Sequence, residues 1–513
     1  MSSFISMIDI KMDWSKHQSR MPIIEEKADY PLEQTIEDYA LWNESINPHR
    51  AGIIFDRYVD DIRKSQQNLN DSLYWYIQNC MEIIEDSFKE YRERESLHYP
   101  LHVLLMVIMI AKQYGCQNAQ DIADFYNIHN LELFISIPDV PSFKSPISAT
   151  TIRTAMTLVT PEDTEKFFEE HFTRVKIHIR EQIKYDDENF YDRKDDIADT
   201  VSFNGQEMKE TYRRGECSRK CKGGIITQLY NSTQRTPLAC AISSAKNHER
   251  KDVLSLIENA SIVGKVVMCD KLNTTADVSS KLNKVQAYYL LPISDTNGNK
   301  ELHSHIEGIF NREHKKAVRY SETELEAEAL KQSPSEGKKP NHGRKEFTDI
   351  ELLPAEPYLD ERIKNPHAGV TVLVKKTKTT VKVLNKEETS KTVKVTYYIS
   401  SIPFDDDYSI RQVRACFQDY WQIKENHSVL DDETLYNQDN VQACNKNTIY
   451  NTAVLNKISY PILSYIRQLF SIKAKRTRPF SYKAITKLIQ GMELWEFMEY
   501  FCNYWFDEDN RNI

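Results

Sequence analysis

The sequence predicts a mixed α/β protein whose N-terminal part is all helix. Before residue 100, apolar side chains recur in steps of three and four. From about Val201, short apolar runs bounded by turn residues take over, and residues 370–402 alternate with a period of two.

Residues 1 to about 50 have weak periodicity and mixed polarity, which predicts loops with short helices. From about Ile54 to Glu95 the pattern is helical, with Tyr74, Ile77, Met81, Ile84, Phe88 and Tyr91 along one face. Such a stripe serves either packing onto the same chain or a coiled-coil dimer. Residues 98–176 read as several helices. The apolar run Leu101–Ala111, interrupted by His102, is too short to cross a bilayer and fits a buried helix. Ser148–Thr157 is either the start of a DNA-contacting helix or a structural helix capped by its hydroxyls. The last helix of the group is expected to start at Pro161-Glu162-Asp163, capped by Thr160.

Strands are predicted at Val201–Lys209, Ile225–Tyr230 and Leu238–Ile242, with a turn at Asn231-Ser232-Thr233. A helix over Val253–Ile257 leads to a strand at Val266–Asp270. The stretch from about Ser294 to Asn341 is polar and rich in charge, with a mobile loop expected at Ser333–Gly337. Beyond it, Val370, Val372, Val374, Val381 and Val383, then Val393 and Val395 across Asn385-Lys386-Glu387, predict a hairpin rich in exposed lysines.

At 513 residues the chain exceeds one ordinary domain, and 40% hydrophobic with 28% charged residues can bury a real core. No signal peptide is recognisable, and nine scattered cysteines fit reduced thiols in a cytoplasmic protein. The net charge of −9 argues against a nucleic-acid partner. Much of the acid, however, precedes residue 98, as in Glu25-Glu26, Glu37-Asp38 and Asp60-Asp61. Basic runs follow at Arg213-Arg214, at Arg219-Lys220-Cys221-Lys222, at Lys375, Lys376, Lys378 and Lys382, and at Lys473, Lys475, Arg476 and Arg478. Each is either a solvated face or a set of phosphate contacts. Cys217 and Cys221 lack a second ligand pair at zinc spacing.

Several segments occur in a telling order. Val201-Ser202-Phe203-Asn204-Gly205-Gln206 is followed by Lys209; Val266-Val267-Met268-Cys269-Asp270 ends in aspartate; then come His342-Gly343-Arg344-Lys345-Glu346, Tyr397–Ser401, and Trp421-Gln422-Ile423-Lys424-Glu425-Asn426 with Leu430-Asp431. Together they resemble the H-repeat-associated transposases of bacterial insertion sequences, a family of DDE enzymes. The resemblance runs from about residue 98 to about 470, including His98-Tyr99-Pro100-Leu101, Ile122-Ala123-Asp124-Phe125 and Ser148–Arg153. It implies an RNase H-like mixed sheet flanked by helices, after an N-terminal all-helical domain. The expected division is an acidic helical extension over 1–97, a transposase-associated helical domain over 98–180, an RNase H-like domain over 195–470 containing a polar insertion and lysine-rich hairpin at about 294–402, and a basic segment with a C-terminal helix over 471–513.

The resemblance also implies a catalytic triad at Asn204, Asp270 and Glu425, with Asp270 and Glu425 as metal ligands for Mg2+ or Mn2+ in a two-metal site. Two such ions, about 3.5–4 Å apart, stabilise the attacking and leaving oxygens of in-line displacement at phosphorus. Asn204 stands where the family has its first aspartate, and a neutral amide removes one negative charge and presents an NH2 donor. Glu425 follows Trp421-Gln422-Ile423 one residue later than the family spacing, which turns a helical side chain by about 100°. Gln206 replaces a lysine and Thr348 an arginine of the family pattern. Asp195, Asp196 and Asp199 precede the first strand and are expected at its far end.

Lys209, His342, Arg344, Lys375, Lys376, Lys378, Lys475 and Arg476 are the implied DNA contacts. Trp421 is expected in the core, although an aromatic beside such a helix can stack on a displaced base. The implied partner is DNA, as insertion-sequence ends and target, with a homodimer to pair two ends, no membrane association, and a cytoplasmic, nucleoid-associated location in a bacterium. Three functions fit: an insertion-sequence transposase that cleaves and joins strands, a DNA-binding protein that keeps the fold without catalysis, and a metal-dependent nuclease. Residue 204 discriminates among them.

Overall fold

The computed structural model describes residues 71–92, 98–137, 146–174, 197–208, 224–243, 249–322, 344–359, 365–438, 445–474 and 479–500, apart from a few positions within these spans. The chain divides into two compact units, residues 1–176 with 486–513, and residues 177–485. The C-terminal segment, set apart from the helical region in the expected division, thus belongs largely to the first unit. Residues 1–70, with their expected loops and short helices, and the loop Ser333–Gly337 lie outside the described residues.

In the first unit, helix α1 (Asp71–Ser87) buries Ile77, Met81 and Ile84, and Phe88 just past its end packs on Phe167 with ring centroids 5.0 Å apart. The stripe therefore packs onto its own chain. Tyr91 departs from the expectation: the helix has ended, the ring is 46% exposed, and its hydroxyl donates to the Asp163 carboxylate. Helix α2 (Leu101–Tyr114) is the buried apolar run, and among the described residues no helix is long and apolar enough to cross a membrane. It stops at Gly115, whose φ of 105° is left-handed and whose absent Cβ leaves room for Thr486 and Gln490, 2.9 Å from where that atom would sit. Helices α3 (Ala119–Ile128) and α4 (Asn130–Ser136) follow, the former opened by an Asn118–Asp121 capping box. In α5 (Ala149–Leu158) Ser148 Oγ caps the Thr151 amide and Ile152, Ala155 and Met156 are buried, as a structural helix requires. Helix α6 (Pro161–Arg174) opens as expected, with Thr160 Oγ1 accepting from the Asp163 amide at 3.1 Å.

The second unit is a mixed nine-stranded sheet in the order β3-β2-β1-β4-β5-β9-β8-β7-β6. Its strands are β1 (Thr200–Glu207), β2 (Ile225–Asn231), β3 (Thr236–Ser243), β4 (Val266–Met268), β5 (Tyr288–Ile293), β6 (Val318–Ser321), β7 (Arg344–Pro354), β8 (Val372–Leu384) and β9 (Glu387–Ser400). The first three form an antiparallel meander, β4 and β5 add in parallel to β1, and the last four return to antiparallel pairing.

Alternation sorts the side chains into two layers. Val201, Phe203, Leu229 and Val267 pack on one face with α7 (Glu249–Asn259), α8 (Ala276–Lys284) and α9 (Lys300–Glu313). Val266, Met268, Leu290, Val372 and Val374 pack on the other, beneath Val413, Cys416 and Phe417 of α10 (Asp406–Asp419). Helices α11 (Gln422–Asp431) and α12 (Lys446–Lys473) continue the second layer by packing on β1 and β3, and α13 (Tyr482–Gln490) follows in the chain.

The polar stretch after Ser294 contains α9 and β6, neither of which its composition pointed to. Leu302, Ile306, Ile309 and Phe310 form a helical face whose apolar spacing is concealed by the polar average. The predicted β8–β9 hairpin is present. Only its base, Tyr397–Ser400, pairs with β5, so the distal half of β8 and β9 runs on past that strand.

Candidate functional site

Strands β1 and β4 run parallel with Thr200 opposite Val266 and Ser202 opposite Met268. Asn204 lies on β1 two residues beyond this pairing, and Asp270 lies two residues beyond the end of β4, toward the same end of the sheet. Equivalent residues of adjacent strands share a face, here the one covered by α10 and α11. Asp199 is at the opposite end, where its carboxylate accepts from Asn231 and Gln234 and lies 3.7 Å from Lys265. Asp195 and Asp196 lie outside the described residues.

A turn holds Asp270. Its Oδ1 accepts from the backbone amide of Asn273 at 3.0 Å and from Asn273 Nδ2 at 2.9 Å, an Asx-type arrangement that fixes the carboxylate to its own loop. The loop is itself anchored: Asn299 Nδ2 donates to the Thr274 carbonyl, and His367 bridges Asn299 Oδ1 at 3.1 Å and Ser279 Oγ at 3.2 Å. Burial lowers the His367 pKa to about 4, so the ring is neutral near pH 7.

Glu425 lies on α11, and α11 packs against β1. Only the backbone of Glu425 is described. Just before that helix, the Tyr420 hydroxyl is pushed up mainly by burial and further by Cys269 and Asp270, so the helical junction lies within electrostatic reach of the aspartate. Trp421 is not in the core: it is 44% exposed, with Lys424 Nζ 4.6 Å from its ring centre. The inward face of α11 is carried instead by Ile423, Asn426 and Leu430, all buried.

Across the strand pair Asn204 faces Gln228, whose Oε1 accepts from Lys457 Nζ at 2.7 Å, and Lys457 on α12 is fully buried. Gln206 Oε1 accepts from Gln438, which in turn accepts from Asn456. Asn426 is buried with neither end of its amide hydrogen-bonded. Among the described residues no group of three or more His, Cys, Asp or Glu side chains is placed to hold a metal ion. Magnesium takes carboxylate and water oxygens. Residue 204 offers an amide where such a centre takes a carboxylate, and the side chain of Glu425 lies outside the described residues.

The basic residues divide into several groups. Lys209, His342, Lys475 and Arg476 lie outside the described residues, as do Arg213-Arg214, Arg219–Lys222, Arg478, Cys217 and Cys221. Arg344 begins β7, with its backbone alone described. The three hairpin lysines are less exposed than their alternation predicts, because glutamates of β7 and a ring of α10 lie beside them. Lys375 Nζ is 2.7 Å from Glu351, Lys378 Nζ is 2.9 Å from Glu346, and Lys376 Nζ sits 4.0 Å from the Phe417 ring centre. Burial lowers the Lys376 pKa to about 8, helped by Lys378. Lys391 and Lys394, further along β9, are exposed.

Asn273, Asn299, His367, Gln228 and Lys457 were not apparent from the sequence. The Asp-x-x-Asn spacing at 270–273 was a usable turn signal. His367 and Lys457 reach partners 68 and 229 residues away, beyond any local pattern.

No family model matches the chain, and no curated protein matches it. Among solved structures it is similar to the piggyBac transposase synaptic complex with hairpin DNA, at 11% identity over 86% of this chain and 81% of that chain, with a TM-score of 0.31.

Proposed function

We propose that the chain is a transposase-like DNA-binding protein that keeps a DDE scaffold of the RNase H-like type and lacks its strand-cleaving step. The observation that supports this reading is the β3-β2-β1-β4-β5 order, with Asn204 on β1, Asp270 two residues past the end of the adjacent parallel β4, and α11 packed on β1. The charge needed for metal-assisted displacement is deficient there, because residue 204 is neutral and its neighbour Gln228 carries a lysine ammonium.

What remains is a means of holding DNA. The β8–β9 ribbon presents Lys391 and Lys394 to solvent beside Val393 and Val395, which are 54% and 42% exposed. A two-stranded ribbon fits the width of a major groove, and lysines on it contribute phosphate contacts without sequence readout. Pairing of two DNA ends would require two copies of the chain.

A second reading, a metal-dependent cleaving enzyme, draws on one observation: the helix bearing Glu425 lies against β1, the strand paired with β4, which ends two residues before Asp270. The test is to measure duplex binding by fluorescence anisotropy at two salt concentrations, together with nicking in Mg2+ or Mn2+. Salt-dependent binding without nicking is the expected result. Nicking by the unmodified chain would establish the second reading, and absence of DNA binding would overturn both.

A further inference from the structure

Among the described residues, strand β9 has one neighbouring strand along most of its length. It pairs with β8 from Ser400 back to Glu387, but with β5 only over Tyr397–Ser400. Hydrogen bonds at the base show which way each residue of β9 turns its backbone. Ser401 donates its amide to the Tyr289 carbonyl on the β5 side, whereas the Ser400 carbonyl accepts from Thr371 on the β8 side. By alternation, odd-numbered residues of β9 face β5 and even-numbered residues face β8. The register with β8 is unbroken from Ser400 to Ser390. Lys391, Val393 and Val395 therefore direct their N–H and C=O groups to the side where, among the described residues, no strand continues from β5. Ser390 through Val395 are exposed on both faces of the ribbon, the two valines included. An uncovered edge of this kind is a template for another strand.

The open lane prolongs that of β5, which is antiparallel to β9, so a strand added in the same sense is antiparallel as well. Both of its ends are closed. Strand β5 occupies it from Tyr397 onward, and the register shift between Lys382 and Val383 interrupts the regular pairing beyond Ser390. Val393 is the midpoint of what is left, residues 391–395, and a two-fold axis there supplies an antiparallel strand of matching length from the same sequence. In that register Val393 meets the partner's Val393, Lys391 meets the partner's Val395, and Lys394 meets the partner's Thr392. No lysine faces a lysine, and the apolar side chains meet at the centre. The outward-facing residues 391, 393 and 395 are then opposite one another, each pair exchanging both backbone hydrogen bonds.

We propose that the 391–395 edge of β9 pairs antiparallel with the same edge of a second copy of this chain, about a two-fold axis at Val393. A ribbon paired in this way is four strands wide, at about 4.8 Å between strands, and no longer enters a groove about 12 Å across. The pair is therefore a form of the DNA-free protein, and its test is separate from that of DNA binding.

The experiment follows full-length protein, freed of nucleic acid, by sedimentation velocity over a range of concentrations. The expected result is a monomer–dimer equilibrium. Val393→Pro removes an N–H that faces the open edge and spares the β8–β9 ladder, so it should weaken the dimer about tenfold or more without lowering the melting temperature. Val393→Lys, which sets like charges face to face across the axis, should weaken it as well and serves where the proline variant does not fold. Under mild oxidation Val393→Cys should form a disulfide between copies, because Cα atoms of such a pair lie about 5.5 Å apart. Lys391→Cys should not, since the two copies of that residue would be roughly 14 Å apart. A monomer at every concentration would overturn the proposal and leave the edge to duplex alone. So would a dimer that neither Val393→Pro nor Val393→Lys weakens, or equal cross-linking by the two cysteine variants.

Discussion

Asn273 holds the carboxylate of Asp270 from two directions, through its backbone amide and its side-chain Nδ2, at 3.0 and 2.9 Å. Replacing Asn273 with alanine removes one charge-assisted hydrogen bond and keeps the other. A cost of about 1–2 kcal/mol is expected. Hydrogen exchange should accelerate over residues 270–275 ahead of the rest of the sheet; uniform exchange across β4 and β5 would show that the turn is held by other contacts.

The same loop is sensitive to acid through His367. Its folded pKa, about 4, lies below the ordinary 6.5, so the unfolded chain binds the proton first. Stability is fully present above about pH 6.5 and is lost as pH falls through 4, by an amount on the order of 3 kcal/mol. Urea melts between pH 7 and 4 should show this loss, and His367→Gln should flatten that part of the profile. An unchanged profile in the variant would assign the acid sensitivity elsewhere.

The ribbon lysines should separate into two kinds. Lys391→Glu with Lys394→Glu should weaken duplex binding, lower the salt slope by about two and leave melting unaffected. Lys375→Glu places like charge against Glu351 and should instead lower the melting temperature. Equal effects of both changes on DNA binding would mean that the β7 glutamates do not occupy Lys375.

Trp421 offers a cheaper test of DNA contact. Because the ring is 44% exposed, Trp421→Ala should change stability by no more than about 0.5 kcal/mol. If the ring stacks on an unpaired base, single-strand affinity should fall by about fivefold or more while duplex affinity holds. Loss of stability without loss of single-strand binding would return Trp421 to a packing role.

Much of this architecture was legible in the sequence. The alternating valines of 370–402 predicted the β8–β9 hairpin, and Thr160 with Pro161 predicted the start of α6. Asn204 and Asp270 were singled out by the resemblance of their segments to a transposase family, and β1 runs on to Glu207 while β4 ends at Met268. The helix α9 was missed because its apolar face is diluted by charge, and Trp421 was assigned inward although α11 buries Ile423, Asn426 and Leu430 instead.

Periodicity by itself determined which segments are helix or strand and which side of each is buried, since those depend on residues two to four apart. Partners were decided only by the tertiary structure. Lys457 meets Gln228 across 229 residues, and Lys375 meets Glu351 across 24. A buried ammonium or an apparently exposed lysine reads the same in one dimension, and only packing shows which has lost its water and which charges stand beside it.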